Sequence, residues 1–349
     1  MSDPMVAIAR PSDMGGDATT PLHHADIEPI IAMASRAPSI HNTQPWSWQL
    51  HPFQLSLRVD RGRQLRIADP DGHSLLISCG AAVTLTELGL RTLGRQVRTR
   101  RLPDPGDPDV VAVFTLGAPE PASVHELELL AAAQRRQSDR RPFSSQEVPS
   151  EVVEVLRDAA AAPGVHADFP IREEQRVNLA VAVGWADRTE TRDPEYLAEM
   201  NHWLRESNVS TDGIPAGAVP HLPAGKVRHT EVPLRDFEVG VSGRLLIERD
   251  VDERPLIAVL LTGSDTAVEQ LRAGEAMMRL MLEAELLGLG ICPLSQAVDL
   301  VAFRNRIQTL MSWQGLPQMI LRIGYPANGA RPERTPRRPV ADVLKVLPG

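Results

Sequence analysis

Cysteine is almost missing from this chain: two residues in 349, Cys79 and Cys292, stand in neither CxxC nor mixed Cys/His spacing. That excludes a disulfide framework and a readable zinc site, and it predicts two buried, reduced thiols. Aromatic residues make up only 4%, and none is interleaved with arginine as a stacking platform for nucleic acid would require. Positive charge is in deficit, with a net charge of −8, so a broad basic face for nucleic acid or anionic lipid is not expected. No apolar run approaches the roughly 20 residues of a membrane span. No GxGxxG follows a strand pattern, so no Rossmann domain is expected. Residues 1–25 lack the apolar core of a secretory signal and read as a flexible tail. These absences point to a cytoplasmic protein with neither a membrane nor a nucleic-acid partner.

What is present is ordinary for a globular chain, 42% hydrophobic and 23% charged, with length for one large domain or two fused ones. Ile27, Ile30, Ile31 and Ala34 follow helical spacing, with Asp26 placed to cap. Leu55, Leu57 and Val59 alternate as in a half-buried strand. Between them Arg36 to Trp48 reads RAPSIHNTQPWSW. Pro38 and Pro45 stop regular structure there, and Ser39, Asn42, Thr43 and Gln44 serve either loose backbone groups or a polar ligand.

A sparse repeat follows. Asp71, Gly80, Ala82, Leu93 and Gly94 match Asp265, Gly274, Ala276, Leu287 and Gly288 at constant offset, each set on a long helix closed by glycine. VVAVFTLGAP (Val110 to Pro119) pairs with PQMILRIGYP (Pro317 to Pro326) as two β-rich runs. The methionines of the second helix read as core filler. Between the copies, AAAQRRQSDRRPF (Ala131 to Phe143) crowds four arginines around Ser138. They form either a phosphate grip or a solvated face paired with Asp139, Glu147 or Glu333. A helix through Val152, Val153 and Leu156 then stops at Pro163-Gly164. From Asp187 to Asp250 the pattern loosens into a short Asp193-capped helix carrying Tyr196, Leu197, Met200 and Leu204, and a Pro- and Gly-rich stretch. Such length makes it either a lid or a loose insertion. Arg254 to Thr262 returns to strand, and PRRPV near Arg337 closes the pattern.

Ala-Pro-Ser-x-x-Asn-x-Gln-Pro-Trp resembles the signature turn of the nitroreductase superfamily, and its wording, with the insertion, resembles the Acg group of actinobacterial nitroreductase-like proteins. The resemblance covers nearly the whole chain after residue 25. It implies an α+β nitroreductase-like fold, a single-chain pseudo-dimer of two half-repeats with a lid-like insertion: residues 26–120 as the first half and 121–349 as the second, with about 187–250 as the lid. It implies FMN as cofactor, held by Pro38, Ser39, Asn42 and Gln44 of the turn, by Arg136, Gln137, Ser138 and Arg140, and by Arg337 and Arg338. Pro293, Leu294 and Ser295, after the Gly-Leu-Gly run, match the backbone that approaches the flavin; Gln296 departs from the more usual glycine. Only one complete site results, in a monomer acting as an internal pseudo-dimer. The implied chemistry is ping-pong transfer from NAD(P)H through FMN to a nitroaromatic or quinone-like acceptor. The rival is an FMN-storage protein with an occluded flavin. No catalytic acid or base and no metal is assigned; His41 reads as a capping or solvated histidine.

Overall fold

The computed structural model describes residues 20–161, 164–170, 172–206, 209–221, 235, 243–246, 253–327 and 334–348. Most of the expected tail, Pro163 and much of the Asp187 to Asp250 stretch lie outside these residues.

Helix α1 (His24–Ala34) turns Ile27, Ile30, Ile31 and Ala34 inward, as their spacing dictates. Its N-cap is His23, without a side-chain bond; Asp26 sits in the first turn, where its charge complements the helix dipole without capping. After it come β1 (Trp46–His51), β2 (Gln54–Val59), α2 (His73–Arg91), β3 (Arg95–Arg101) and β4 (Val110–Pro119). The middle of the chain forms α3 (Val124–Arg135), α4 (Ser150–Ala159), β5 (Val165–Asp168), α5 (Glu173–Glu190) and α6 (Pro194–Trp203). Four two-residue strands follow, β6 (Leu204–Arg205), β7 (Ile214–Pro215), β8 (Pro220–His221) and β9 (Leu245–Leu246). The last third is β10 (Leu256–Thr262), α7 (Ala267–Leu286), β11 (Gly290–Leu294), α8 (Val301–Met311), β12 (Leu316–Gly324), α9 (Val340–Val343) and β13 (Leu344–Val346).

Two main sheets result, β13-β1-β2-β4-β3 and β11-β12-β10-β5, beside the two-stranded pairs β6-β7 and β8-β9. The long helices α2 and α7 pack against each other between the main sheets. They approach closely because two glycines face each other. A Cβ on Gly80 would lie 2.0 Å from Leu271 O, and one on Gly274 would lie 2.0 Å from Ile77 O. These are the two glycines of the constant-offset repeat. Gly94 and Gly288 follow the two helices in the left-handed conformation, at φ 71° and 73°, as helix-terminating glycines do. By length and composition α2 could cross a bilayer, against the expectation that no run approaches that size. Its apolarity has another cause, since nearly every residue from His73 to Leu90 is buried in protein.

The C-terminal strand pairs in parallel with β1, setting Trp48 beside Leu344. The residues just before it thereby come to the Arg36–Trp48 turn. Trp46 and Trp48 are both fully buried in that first sheet, and Trp48 Nε1 donates to Thr86 Oγ1 of α2 at 3.2 Å. Both cysteines are buried and neither forms a disulfide.

The described part of the insertion is packed. Asp193 caps α6 through the Glu195 and Tyr196 amides, with Pro194 at the first position. Leu204, expected on this helix, begins β6 instead. Tyr196, Met200 and Trp203 pack with Leu65, Ala68 and Ile214. The Glu199 carboxylate accepts from the amides of Arg66, Ile67 and Ala68, and Asp212 joins Arg63 at 2.6 Å to Arg205 at 2.8 Å. Asp187, where the loosened pattern was expected to begin, lies in the last turn of α5.

Candidate functional site

The turn after α1 holds three non-glycine residues in the left-handed region: His41 at φ 45°, Asn42 at φ 55° and Gln44 at φ 50°. Each costs on the order of 1 kcal/mol or more, so other contacts must over-determine the shape. Ser39 Oγ accepts from the Gln44 amide at 3.0 Å. Asn42 Nδ2 donates to the carbonyls of Gly213 and Pro336, and Gln44 Nε2 to that of Thr211. The turn is therefore pinned from one side by the insertion and from the other by the segment before α9.

Beside it three guanidinium groups converge. Arg136, at the C-terminus of α3, is 4% exposed and its Nη2 donates to Arg36 O at 3.0 Å. Arg337 Nη2 donates to Arg36 O and Ala37 O, and its Nη1 to Asn42 Oδ1. Among the described residues, no carboxylate pairs with Arg36, Arg136 or Arg337, and buried Nε atoms on all three, with Arg136 Nη1, have no partner. Burial, then the charge of Arg36, pulls Arg136 down to about 10; burial, then Arg136 and Arg36, pulls Arg337 down to about 9. All three stay charged near neutrality, an arrangement that calls for an anion.

The turn also walls a cleft, partly open to solvent, whose lining includes Pro38, Ser39, His41, Ser138, Arg140 and Pro293. Into it comes Arg235 of the insertion. Its Nη1 donates to His41 Nε2 at 2.7 Å and its Nη2 to Asp299 Oδ2 at 2.6 Å, with Glu190 at 3.5 Å. Burial alone would lower the Arg235 pKa, but Tyr196, Glu190 and Asp299 outweigh it and raise it. Burial, then Arg235 and Arg140, keeps His41 neutral. Behind the cleft, fully buried Asp69 accepts the Ser74 and Leu75 amides at the start of α2. Burial, then the charge of Asp299, pushes Asp69 up to about 8.

That shift has a sign. A carboxyl whose folded pKa lies above its unfolded value costs stability as pH rises from about 4, a cost complete once pH passes about 8. Buried His73, lowered to about 4 by burial and then Arg304, works the opposite way below pH 6.5. Glu190, raised to about 7, first by burial, adds to the cost. The offset from His73 ends near 6.5, so melting temperature is expected to fall between about pH 6.5 and 8. The Asp69→Asn variant should lose most of that slope; a slope unchanged by Asp69→Asn would reject the assignment.

The sequence-predicted site residues separate into groups. Pro38, Ser39, Ser138, Arg140, Pro293, Leu294 and Ser295 line the cleft. Arg136 and Arg337 form the cation cluster. Asn42 and Gln44 hold the turn. Gln137 is half-buried and makes no side-chain hydrogen bond with the described residues. Arg140 stands apart from the cluster, donating to Ala218 O at 3.4 Å. Arg338 points towards the sheet, donating to Gln44 O and Trp46 O and pairing with Asp60 at 3.6 Å. Of the other arginines, Arg135 pairs with Glu285 and Arg141 with Asp139, the structural role that was the alternative. Arg36, Ser74, Arg235 and Asp299 went unremarked in the sequence. Among the described residues no group of His, Cys, Asp or Glu is placed to hold a metal.

The cleft and cation cluster describe a pocket for a ligand with an anionic end, in a fold of two main sheets about a central helix pair. No family model matches the chain, but curated relatives do. A protein of Mycobacterium tuberculosis H37Rv bearing the name "Putative NAD(P)H nitroreductase" is 33% identical over 338 residues, 95% of this chain and 96% of the relative. Another from that strain, bearing the same name with the designation acg, is 30% identical over 92% of this chain and 95% of its own. At such identity over nearly all of both sequences, this chain belongs to the nitroreductase superfamily, within the Acg group. Solved structures similar to it include a nitroreductase of Bacteroides fragilis with bound FMN, 14% identical with a TM-score of 0.38 over 60% of this chain and 95% of that one. An FMN-dependent nitroreductase of Clostridium difficile is 15% identical with a TM-score of 0.33 over 58% and 89%.

Proposed function

We propose that the cleft binds one FMN per chain and that the protein is an NAD(P)H oxidoreductase of nitroreductase type. The observation that carries this reading is the cluster of Arg36, Arg136 and Arg337, three charged groups with buried donors left without partners among the described residues, beside a cleft lined by polar and apolar side chains. A phosphate dianion supplies the missing acceptors and countercharge. The relatives' names agree with the reading. When bound, FMN supplies hydride acceptance from NAD(P)H and hydride return to a nitroaromatic or quinone-like acceptor, in ping-pong alternation. The chain's residues bind and orient. Arg136 and Arg337 hold the phosphate, Ser138 and Arg140 face the intermediate part of the cleft, and Pro38 to His41 form a wall. His41 is neutral and takes a hydrogen bond from Arg235, so it is assigned no acid role. In this reading the chain is a fused pair of half-repeats with one complete site, a cytoplasmic monomer in which the segment about α6 acts as a lid.

The packing of α6 and the burial of Arg235 favour a second reading, an FMN-storage protein whose insertion keeps nicotinamide off the ring. Anaerobic titration with NADH and NADPH, following flavin bleaching, separates the two, after FMN content has been measured. About one FMN per chain is expected; two would reject the asymmetric fusion, and none would reject the function. Glu199→Ala leaves three amides of residues 66–68 without their acceptor and loosens α6. Flavin reduction should then quicken about tenfold, because a closed-to-open ratio of ten costs only about 1.4 kcal/mol. An unchanged rate would remove the lid from the account.

A further inference from the structure

Two serine hydroxyls from distant parts of the chain share one acceptor at the cleft. Ser74 Oγ donates to Asp299 Oδ1 at 2.8 Å and Ser295 Oγ to Asp299 Oδ2 at 3.0 Å. Both serines line the cleft, and Asp299 is 1% exposed. Arg235 Nη2 also donates to Oδ2, at 2.6 Å. A carboxylate has only lone pairs to offer, and a hydroxyl has one hydrogen. Each serine therefore aims its hydrogen at Asp299 and leaves its lone pairs for whatever lies in the cleft.

We propose that Asp299 is a positioning residue that fixes Ser74 and Ser295 as hydrogen-bond acceptors, so that the cleft binds a ring bearing N–H donors, and holds reduced FMN more tightly than oxidised FMN. The proposal rests on the FMN reading above. Two-electron reduction brings a hydride from NAD(P)H and a proton from solvent, turning ring nitrogens from lone-pair acceptors into N–H donors. Acceptor hydroxyls match the reduced ring and face the lone pairs of the oxidised one. The guanidinium groups of Arg140 and Arg235, also in the cleft, favour electron-rich ligands by charge alone, so the test must separate hydroxyl from cation.

Ser295→Ala does so, because it removes one acceptor and leaves the Asp299–Arg235 pair standing. Asp299→Asn goes further: an amide has one acceptor and one donor end, so one serine must reverse and show its hydrogen to the cleft. The readouts are the midpoint potential of bound FMN and the Kd of oxidised FMN, measured on the full chain. Ser295→Ala is expected to weaken reduced FMN relative to oxidised FMN about tenfold, which lowers the potential by about 30 mV for a two-electron couple. The Kd of oxidised FMN should stay within about threefold, and Ser295→Thr should restore the potential. If Asp299→Asn fails to fold, Ser295→Ala decides alone. FMN bound by Ser295→Ala at wild-type potential, whether or not its oxidised Kd changes, overturns the proposal alone; a wild-type chain that takes up no FMN overturns the reading and the proposal together.

Discussion

Arg136→Met is expected to move two properties in opposite directions: FMN binding weakens while the ligand-free chain becomes more stable. Arg136 is buried, its charge is repelled by Arg36 and Arg337, and only Nη2 has a hydrogen-bond partner. Exchanging such a group for an apolar one of similar length removes a desolvation cost and leaves only Arg36 O without a donor it shared with Arg337. A gain of about 1.5–3 °C in melting temperature without cofactor follows from about 1–2 kcal/mol. With FMN present the same side chain supplies a charge-assisted hydrogen bond worth about 1.5–3 kcal/mol. Its loss should raise Kd for FMN about 10- to 150-fold. Arg98→Ala, on the edge strand β3, should leave that Kd alone. Equal losses from both variants would mean diffuse electrostatics and no phosphate site.

Gly80→Ala should be severely destabilising although alanine is the better helix former by about 1 kcal/mol. The new methyl would lie 2.0 Å from Leu271 O, and no rotamer can relieve a clash of Cβ with backbone. The helices α2 and α7 must then move apart, opening the buried seam around Ile77, Leu271 and Met278. A loss of about 3–5 kcal/mol is expected, read as a lower urea midpoint or as insoluble protein. Gly274→Ala, whose methyl would meet Ile77 O, should behave the same way. Gly263→Ala is the control, since its nearest neighbour would be the Glu269 carboxylate at 3.7 Å. Similar midpoints for Gly80→Ala and Gly263→Ala would show that the helix crossing tolerates a wider spacing.

The difference between what could and could not be read in the sequence has a physical pattern. Local signals were legible: the Asp193-Pro194 start of α6, the β-rich runs of β4 and β12, and the two glycines that let α2 and α7 meet. Arg136 and Arg337 were legible through their motifs. Asn42 and Gln44 were also legible as special, but the acceptors of their amide NH2 groups are backbone carbonyls of Thr211, Gly213 and Pro336, and a carbonyl leaves no mark on sequence. Arg235 sits in a Pro- and Gly-rich stretch without periodicity, and meets His41 across 194 residues and Asp299 across 64. Asp299 gains its meaning only where Ser74, 225 residues away, reaches it. Long-range convergence of single polar residues has no period to detect.

The parallel pairing of β13 with β1 also sets a timetable for synthesis. Arg337 meets Asn42 across 295 residues, and at roughly 5–20 residues per second the ribosome needs on the order of 15–60 s between making one and the other. Until then β1 presents an unpaired edge and the turn lacks its C-terminal clamp. A nascent chain that stalls before residue 337 therefore carries an open strand edge for chaperones or proteases to find, and the turn is clamped from both sides only after β13 has emerged.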